Sequence, residues 1–404
     1  MNARPFTYRK RTHCAVCAEK LENSLIDFLA LPVLTGVFSK EKFEVRDSGM
    51  DQSFYLCPKC GHGQLSTIID PNFLYNQDYG FQTSLSQTAT NELEKFVNFL
   101  EKLSPDCVFN KVVDIGCNDL YLLKRLKNKA KSFCGVDMMK NFADRQKRVE
   151  GLAVDLVEKK AEDLKLSDFK SEAPDLIVAT HMIEHAQEPR EVLCNLMNCA
   201  SEDALFVFEF PCLEEMTKAY RFDRIFHQHL QYFSLESFKN LLILVGAEYI
   251  DHCYNPSHWG SLMVAFRKGR KTSLIDIIAD HGDTEKEIKE KYFIFKREMK
   301  KTSCEIEAKE KKSIVGYGAT NMLPILFYHL GINDNVLDLV FDDDIMKNNL
   351  YFQGLGVRIS NVSQLDQLCS KTFLITALDH VDVIVKKLLN LSADKIIIPL
   401  QNLP

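Results

Sequence analysis

Two pairs of cysteines near the N-terminus constrain this sequence more than any other feature. Cys14 and Cys17 in HCAVCAEK, and Cys57 and Cys60 in YLCPKCGHG, each form a C-x2-C motif. Each motif presents two thiolates on a tight turn, and two motifs complete the tetrahedral sulfur shell that Zn(II) favours in structural sites. The sequence therefore predicts a structural zinc ion. The alternative is four unrelated buried thiols, whereas a redox pair is disfavoured because neither motif shows a clear following helix in a βαβ pattern.

The composition is that of a multidomain globular protein. The chain has 404 residues, 46% hydrophobic and 26% charged, which exceeds what one core usually holds. It contains no apolar run of the roughly 18 residues that a membrane helix needs, and no apolar signal segment follows the basic N-terminus. We therefore expect a cytoplasmic protein without a membrane partner, and the 13 cysteines fit a reducing compartment. The net charge of -6 disfavours nucleic acid as a partner. The absence of a heptad run indicates a monomer or a weak homo-oligomer.

An α/β pattern with a ligand turn occupies the middle of the chain. A helical pattern, QTATNELEKFVNFLEKL, precedes KVVDIGCNDLYLLKRLK, whose strand reaches Asp114 before a tight turn at Gly116 and a helix. Gly116 allows a ligand to approach the backbone, Asn118 adds a polar side chain, and Asp119 could cap the helix. The next strand, SFCGVD, ends in Asp137 about 20 residues later, where an acid can bind ribose hydroxyls.

Further strands, in PDLIVATHMIEHAQEPREVL and ALFVFEFPCLEE, continue the βαβ rhythm, and the first runs into His181. The glycines that would complete G-x-G-x-x-G after Gly116 are missing, which disfavours a pyrophosphate. The pattern therefore predicts S-adenosylmethionine rather than NAD as the cofactor. The residues assigned to its site are Asp114, Gly116, Asn118, Asp137, Ala161 and His181.

The C-terminal third predicts a second α/β layer. A charged segment from HGDTEKEIKEK to EIEAKEKK has helical spacing of Ile288, Phe295 and Met299 and predicts a long amphipathic linker helix. Strands are then predicted in SIVGYGAT, LDLVFDDD and TFLITALD. Gly316 and Gly318 are only part of a dinucleotide fingerprint, so a scaffold that closes over substrate is favoured over a dinucleotide site.

At the level of motifs, the chain resembles the three-domain, zinc-containing sugar C-methyltransferases that act on nucleotide-linked 4-keto-6-deoxysugars, including sugar C-3 methyltransferases. The motifs that carry the resemblance are the paired cysteines, DYGFQTS, DIGCND, THMIEHAQEP, FDRIFHQHLQYFSLESF, HWGSLMVAF, IVGYGAT and VFDDDIMKNNLYFQGLGVRI, in this order. The resemblance implies an α/β fold with a zinc-binding module (1–85), a central Rossmann-like S-adenosylmethionine methyltransferase domain (86–270) and a C-terminal Rossmann-like domain (271–404). It also implies a nucleotide-sugar substrate.

The resemblance places a general base in FDRIFHQHLQYFS. His229 matches the position of that base, and a neutral imidazole can remove a proton from carbon next to a ketone. The alternative is a buried structural histidine, and we expect that role for His227, with its ring bonded to a backbone carbonyl. A metal pair of His227 and His229 is disfavoured because the sequence shows no further ligands nearby.

Several family positions are altered in this chain. Phe226 and Gln228 replace the tyrosine and glutamate of the usual Tyr-His-Glu-His, Phe81 replaces a second tyrosine, and Leu120 replaces a frequent glycine. Phe226 cannot donate a hydrogen bond to an enolate oxygen, and Gln228 carries no charge.

Two further residues are therefore candidates to stabilise the oxyanion, Tyr79 and His258. The open alternatives to carbon methylation are O-methylation of a sugar hydroxyl, which needs no enolate stabiliser, and a noncatalytic zinc protein.

Overall fold

The computed structural model describes residues 7–34, 38–41, 49–75, 82–139, 151–256, 260–269, 281–309, 314–332, 336–337, 339–352, 355–367, 371–391, 393 and 395–401. Three residues singled out above, Tyr79, Phe81 and His258, lie outside these ranges.

The N-terminal part is built from short antiparallel strands. Its elements are β1 (Tyr8–Lys10), β2 (Ile26–Leu31), β3 (Phe38–Ser39), β4 (Met50–Leu56), β5 (Gly63–Leu65), β6 (Thr67–Ile69) and the helical turn α1 (Pro71–Leu74). Strand β1 pairs with β6, whereas β2, β4 and β5 form consecutive antiparallel pairs. The connections around the cysteine motifs thus form turns between short strands.

The central part alternates strands and helices. Its elements are α2 (Gln87–Leu103), β7 (Phe109–Ile115), α3 (Tyr121–Arg125), β8 (Ala130–Asp137), β9 (Val154–Glu158), β10 (Leu176–Thr180), α4 (Pro189–Cys199), β11 (Leu205–Pro211), α5 (Leu213–Lys218), β12 (Gln231–Tyr232), α6 (Leu235–Val245), β13 (Ala247–Asn255) and β14 (Ser261–Lys268). Helix α2 spans the segment predicted from its helical spacing. The Ser86 hydroxyl accepts the N–H of Ala89 and caps this helix.

The central sheet has the strand order β13-β14-β11-β10-β7-β8-β9. Strands β11, β10, β7, β8 and β9 are parallel, and β14 is antiparallel to both of its neighbours. The chain runs outward from β7 through β8 to β9 and then returns to β10 on the other side of β7. The strand order therefore reverses between β7 and β10, which is where open α/β sheets bind ligands at the carboxyl ends of their strands.

The C-terminal part repeats this design. Its elements are α7 (Gly282–Glu307), β15 (Ile314–Tyr317), α8 (Leu323–Leu330), β16 (Leu339–Asp342), β17 (Tyr351–Phe352), β18 (Arg358–Asn361), β19 (Thr372–Ile375), α9 (Val381–Asn390) and β20 (Lys395–Ile397). The sheet order is β20-β19-β15-β16-β18-β17-β3, with β20, β19, β15, β16 and β18 parallel. The long helix α7 confirms the helix predicted there, and it buries Ile288, Phe295 and Met299.

Two short strands cross between these parts. Strand β12, which begins two residues after His229, pairs with β5 and completes the N-terminal sheet, while β3 pairs with β17 at the edge of the C-terminal sheet. The buried cores are shared as well, because Cys57 and Cys60 lie in one apolar cluster with Phe238 of α6. The α/β fold class is confirmed, whereas the domain boundaries stay a prediction. Among the described residues, no helix is both long and apolar enough to cross a bilayer.

Candidate active site

The four cysteines of the two C-x2-C motifs converge into one cluster. The Sγ atoms of Cys14 and Cys60 lie 3.6 Å apart, and those of Cys17 and Cys57 lie 3.5 Å apart. All four sulfur atoms lie within 4.8 Å of one another. Sulfurs placed tetrahedrally about 2.3 Å from a zinc ion are roughly 3.8 Å apart, so this spacing fits Zn(II) closely.

Both cysteine motifs form the same tight turn. The carbonyl oxygen of Cys14 accepts the N–H of Ala18, and that of Cys57 accepts the N–H of Gly61, each at 3.0 Å. The residue after each motif takes a left-handed backbone, with φ of 59° at Ala18 and 67° at Gly61. Glycine takes this conformation readily and alanine does so at a cost, so the fold holds Ala18 in place.

Side chains from the central part hold the cysteine cluster in position. The amide of Asn240, in α6, donates to the carbonyl oxygen of Cys60 at 3.1 Å. Nε2 of His62 lies 2.8 Å from Oε1 of Gln231 in β12. The turn that carries Cys57 and Cys60 is therefore bonded to β12 and α6, which fits a structural role for the cluster.

The predicted cofactor residues after β7 and β8 lie together at the switch point, where the strand order of the central sheet reverses. The N–H groups of Asn118 and Met139 donate to the two carboxylate oxygens of Asp137, at 3.0 and 2.9 Å. Gly116 has a φ of 80°, and a Cβ there would lie 3.1 Å from the Met182 side chain. A ligand can approach the backbone at this turn because no side chain projects from it.

Asp114 contributes a buried acid to the same turn. Burial, together with the nearby carboxylates of Asp137 and Asp119, raises the pKa of Asp114 to about 8. Its Oδ1 atom is buried and has no hydrogen-bond partner among the described residues. An acid of this kind suits a hydrogen bond with a bound ligand. The turn therefore fits S-adenosylmethionine, because Oδ1 of Asp114 lacks a partner among the described residues and Gly116 leaves the backbone accessible.

The structure differs from expectation at the start of α3. Asp119 does not cap this helix, because its Oδ2 accepts the N–H of Ser84 at 2.9 Å instead. The residue before the helix is Leu120, which is fully buried and has a left-handed φ of 65°. A left-handed conformation explains why glycine is frequent there in the family, and the burial of its side chain compensates for the strain in this chain.

Ala161 and His181 lie along the same edge of the sheet. Ala161 is buried and begins a helical turn shortly after β9. Two residues earlier in the chain, the N–H of Lys159 donates to the carbonyl oxygen of Asp137 at 3.1 Å. His181 directly follows β10, with a left-handed φ of 50°, and its N–H donates to the carbonyl of Glu209 at 2.9 Å. A strained non-glycine backbone of this kind is common at functional sites.

His181 lies between two buried carboxylates. Its Nε2 is 3.0 Å from Oε1 of Glu92, and its Nδ1 is 3.2 Å from Oε1 of Glu184. Burial alone lowers the pKa of His181, but these carboxylates raise it well above the usual value. Burial and the charge of Glu92 raise the pKa of Glu209 well above its usual value. The cluster thus holds one histidine among three buried acids, Glu92, Glu184 and Glu209.

The sequence analysis did not assign Glu92 or Glu209 to the site, although each left a signal. Glu92 lies on the buried face of α2, one turn before Phe96, and Glu209 interrupts the apolar strand FVFEF. An acid on an otherwise apolar face is unusual unless it is paired. The partners themselves, including Ser261 at 2.6 Å from Glu92 and Asn255 at 3.0 Å from Glu209, are distant in sequence.

His229 lies in a buried aromatic pocket. The ring centroid of His229 is 4.2 Å from that of Phe226 and 4.9 Å from that of His185, which it meets at 70°. Nδ1 of His185 lies 2.7 Å from the carbonyl oxygen of Gln228 and 2.8 Å from the hydroxyl of Tyr75. His185 is thus a neighbour of the predicted base that the sequence analysis did not assign to the site.

His227 has the structural role that the sequence predicts. The chain turns at residues 227–228, so the rings of His227 and His229 diverge. Nε2 of His227 lies 3.2 Å from the carbonyl oxygen of Leu31, and the amide of Gln52 donates to Nδ1 at 3.1 Å. Burial lowers the pKa of His227 to about 4, so it stays neutral.

The segment containing His229 is tied to the segment after β10. The N–H of Leu230 donates to the carbonyl oxygen of Glu184 at 2.8 Å. This bond places the predicted base next to the short turn that also carries His181 and His185. The histidine of one segment and the cofactor residues of the other therefore belong to one continuous buried polar region.

Comparisons with known proteins agree with this geometry. The family profile described as a methyltransferase domain matches residues 85–252, from α2 into β13, and the profile described as a C-methyltransferase C-terminal domain matches residues 256–400, from β14 to β20. The C-methyltransferase NovU of Streptomyces niveus is 22% identical over 389 residues, which cover 92% of this chain and 91% of NovU.

Two solved structures give weaker matches. The N-methyltransferase NodS of Bradyrhizobium japonicum is 12% identical with a TM-score of 0.37, over 45% of this chain and 97% of NodS. An S-adenosylmethionine-dependent methyltransferase of Clostridium acetobutylicum is 13% identical with a TM-score of 0.37, over 45% of this chain and 92% of that protein.

Proposed function

Since the chain is an S-adenosylmethionine-dependent methyltransferase with a C-methyltransferase C-terminal domain, we propose that it methylates a carbon next to the ketone of a nucleotide-linked keto-deoxysugar. The ordered motifs shared with sugar C-methyltransferases support this acceptor, as does the similarity to NovU along most of both chains.

The observation that carries the proposal is the position of His229. Its side chain is buried beside His185 and Glu184, on the segment bonded to the cofactor edge of the central sheet. We assign to His229 the removal of the proton from the substrate carbon, which leaves the bonding electron pair as an enolate. S-adenosylmethionine, when bound, supplies the electrophilic methyl group.

The residues at the switch point would hold the cofactor. Asp137 is positioned by two backbone N–H groups so that its carboxylate can accept from the ribose hydroxyls. Gly116 allows close approach, and Asp114 offers a buried oxygen without a protein partner among the described residues. Ala161 and His181 extend this edge on either side.

The four clustered cysteines would hold a structural zinc ion. Their sulfur spacing fits tetrahedral Zn(II), and four sulfur ligands leave no position for substrate. The ion would fix the turns that support β5 and hence its pairing with β12.

O-methylation of a sugar hydroxyl is a second candidate, and one observation favours it. Phe226 contacts the ring of His229 but has no hydroxyl that could donate to an enolate oxygen. An enolate would then need Tyr79 or His258, whose roles stay predictions because they lie outside the described residues. The cytoplasmic location, the oligomeric state and the exclusion of nucleic acid also stay predictions.

Solvent-deuterium exchange separates the two candidates. A panel of nucleotide-linked 4-keto-6-deoxysugars is incubated in deuterated buffer, and mass is measured before and after addition of S-adenosylmethionine. We expect exchange at carbon and a gain of one methyl group, both lost in His229→Asn and both retained in His252→Asn, a control on the edge strand β13. Methyl gain without exchange would establish the O-methylation candidate, and neither signal with any sugar would refute the proposed acceptor.

The zinc proposal is tested by metal analysis of the purified chain. We expect one zinc per chain in the wild type, loss of zinc together with a lowered melting temperature in Cys57→Ser, and no change in Cys253→Ser, whose cysteine is exposed. A wild-type chain that is folded and free of zinc after expression in zinc-supplemented medium would contradict the proposal.

A further inference from the structure

We propose that Glu184 is the acidic partner of the His185 and His229 pair, and that it supplies the negative charge which the family takes from the position of Gln228. Glu184 would act as a positioning and charge-balancing residue, since it acts on the substrate only through the two imidazoles. This inference rests on the proposed role of His229 as the base.

The position of Gln228 shows why a substitute is needed. Its side-chain amide is neutral, and Nε2 donates to the carbonyl oxygen of Leu34 at 3.1 Å, in the N-terminal part. Only its backbone carbonyl faces the site, where it accepts from Nδ1 of His185 at 2.7 Å. Gln228 therefore orients a histidine but contributes no charge to it.

Glu184 lies close enough to His185 and His229 for a negative charge on it to act on both imidazoles. The side chain is 99% buried, and one carboxylate oxygen, one ring nitrogen of His185 and one ring nitrogen of His229 all lie within 4.8 Å of one another. Oε1 of Glu184 thus contacts His181, whereas Oε2 is buried and left without a hydrogen-bond partner in the part of the chain that the structure describes.

Hydrogen bonding also defines the tautomer of His185. A carbonyl oxygen only accepts, so Nδ1 of His185 carries a hydrogen, and in the neutral ring Nε2 carries the lone pair. This Nε2 lies 3.9 Å from Oε1 of Glu184, which is too long for a hydrogen bond but close enough for charge attraction once the ring gains a proton.

Carboxyl groups outnumber imidazole rings around His181, because Glu92 and Glu184 lie 3.0 and 3.2 Å from its two ring nitrogens. A negative charge on Glu184, in a region removed from water, would favour a proton taken by His229 from the substrate carbon.

The test measures the two imidazoles directly and needs no substrate. Nuclear magnetic resonance of chains labelled with isotopic histidine follows the ring signals of His185 and His229 as pH rises, with assignments from His185→Gln and His229→Asn. The charged and titratable groups that face the pair, whose own transitions must be recognised, are Glu184, His181, Glu92, Tyr75 and Tyr232. In Glu184→Gln we expect the titration midpoint of the pair to fall by about one pH unit or more, since an opposite charge within about 4–6 Å raises a pKa by that order.

Glu188→Gln is the matched control. Glu188 lies four residues further along the chain and pairs with Arg9 and Arg11, so its loss should leave the midpoint unchanged. Glu184→Asp keeps the charge but moves it away from the two rings, because the side chain is one methylene shorter. We therefore expect a midpoint between those of the wild type and Glu184→Gln. If the glutamine variant does not fold, the aspartate variant decides the question alone.

The possible outcomes separate this inference from the proposed function. An unchanged midpoint in folded Glu184→Gln or Glu184→Asp overturns the role of Glu184, even if the enzyme methylates keto sugars. A shifted midpoint upholds it, even if no sugar on the panel is an acceptor. Wild-type rings that do not titrate because the three side chains hold a divalent cation, detected as a second metal ion per chain, would also overturn it.

Discussion

The two mostly parallel sheets of this chain both have a left-handed glycine turn where their strand order reverses, but different polar groups surround the two turns. In the central sheet, β7 is followed by Gly116 with φ of 80°, and in the C-terminal sheet β15 is followed by Gly318 with φ of 104°. Around Gly116, Oδ1 of Asp114 is buried without a partner among the described residues. Around Gly318, the hydroxyl of Thr376 donates to its carbonyl at 2.7 Å, and Asp342 accepts the next N–H at 2.6 Å.

The space around each glycine differs in the same sense. A Cβ on Gly318 would lie 2.2 Å from Cβ of Ala377 and 2.9 Å from its backbone nitrogen, whereas a Cβ on Gly116 would meet only the Met182 side chain, at 3.1 Å. The C-terminal turn is therefore closed by its own backbone, and the central turn is open to a ligand. The difference supports the prediction that the C-terminal domain is a scaffold rather than a dinucleotide site.

The largest expected effect is on catalysis at the central edge. His229→Asn should lower kcat about 10²- to 10⁴-fold, the usual contribution of a general base, because asparagine cannot accept the proton. Calorimetry should find the affinity for S-adenosylhomocysteine unchanged within about twofold, since the cofactor residues are untouched. Thr376→Val at the C-terminal edge is the control, and it should keep kcat. Equal losses of rate in both variants would remove the functional distinction between the two edges.

The glycines provide a paired test of the closed and open turns. Gly318→Ala should lower the free energy of unfolding by about 3 kcal/mol, because alanine is strained at this φ and its Cβ would collide with Ala377. Gly116→Ala should cost only about 1–2 kcal/mol, because Met182 can move, but it should weaken cofactor binding.

Urea unfolding and calorimetry with S-adenosylhomocysteine measure the two quantities for each glycine variant. The comparison fails if Gly116→Ala is the more destabilising of the two, or if Gly318→Ala folds normally and loses cofactor affinity.

The next effect is a smaller loss of stability at the C-terminal edge. Asp342 accepts the N–H of Ala319 and lies 3.4 Å from the ammonium of Lys347. Asp342→Asn removes the charge and should lower the free energy of unfolding by about 1–2 kcal/mol. The affinity for S-adenosylhomocysteine should stay the same. A variant that unfolds normally but binds the cofactor poorly would show that this edge also takes part in binding.

Sequence patterns predicted those parts of the site that are local along the chain. The cysteine motifs, the extent of α2 and the turn at Gly116 each depend on residues a few positions apart, so spacing and side-chain chemistry indicate them directly. Asp137 was predicted because it ends the next strand about 20 residues after the turn, where an acid can bind ribose hydroxyls.

The parts that the sequence did not predict depend on contacts between distant residues. Glu92 meets His181 across 89 positions, and β12 joins a sheet whose other strands precede it by more than 150 residues. Such partners are selected by packing, which periodicity does not report. The proposed role of Glu184 was not predicted for a related reason. Position 228, where the family has its acid, is next to the base in sequence, whereas Glu184 reaches the base only through the fold.

The smallest expected effect, counted per pH unit, is a pH dependence of stability that comes from Asp114. Burial and the carboxylates of Asp137 and Asp119 raise the pKa of Asp114 to about 8, from 3.8 in the unfolded chain. Between these values the folded chain binds one more proton than the unfolded chain, so this residue makes stability fall as pH rises, by at most about 1.4 kcal/mol per pH unit. Its favourable contribution is complete below pH 4 and is lost as pH passes 8.

Asp114→Asn should remove that dependence, because the amide has the same shape and does not titrate. Urea unfolding at pH 6, 7 and 8 should give a shallower decline for Asp114→Asn than for the wild type, by about 1 kcal/mol per unit, while Asp342→Asn should run parallel to the wild type. The asparagine variant should also bind S-adenosylhomocysteine several-fold more weakly if the buried oxygen is kept for the ligand. A parallel decline in all three chains would mean that Asp114 is ionised and satisfied in the folded protein, and the contrast between the two edges would then depend on the glycines and on the base alone.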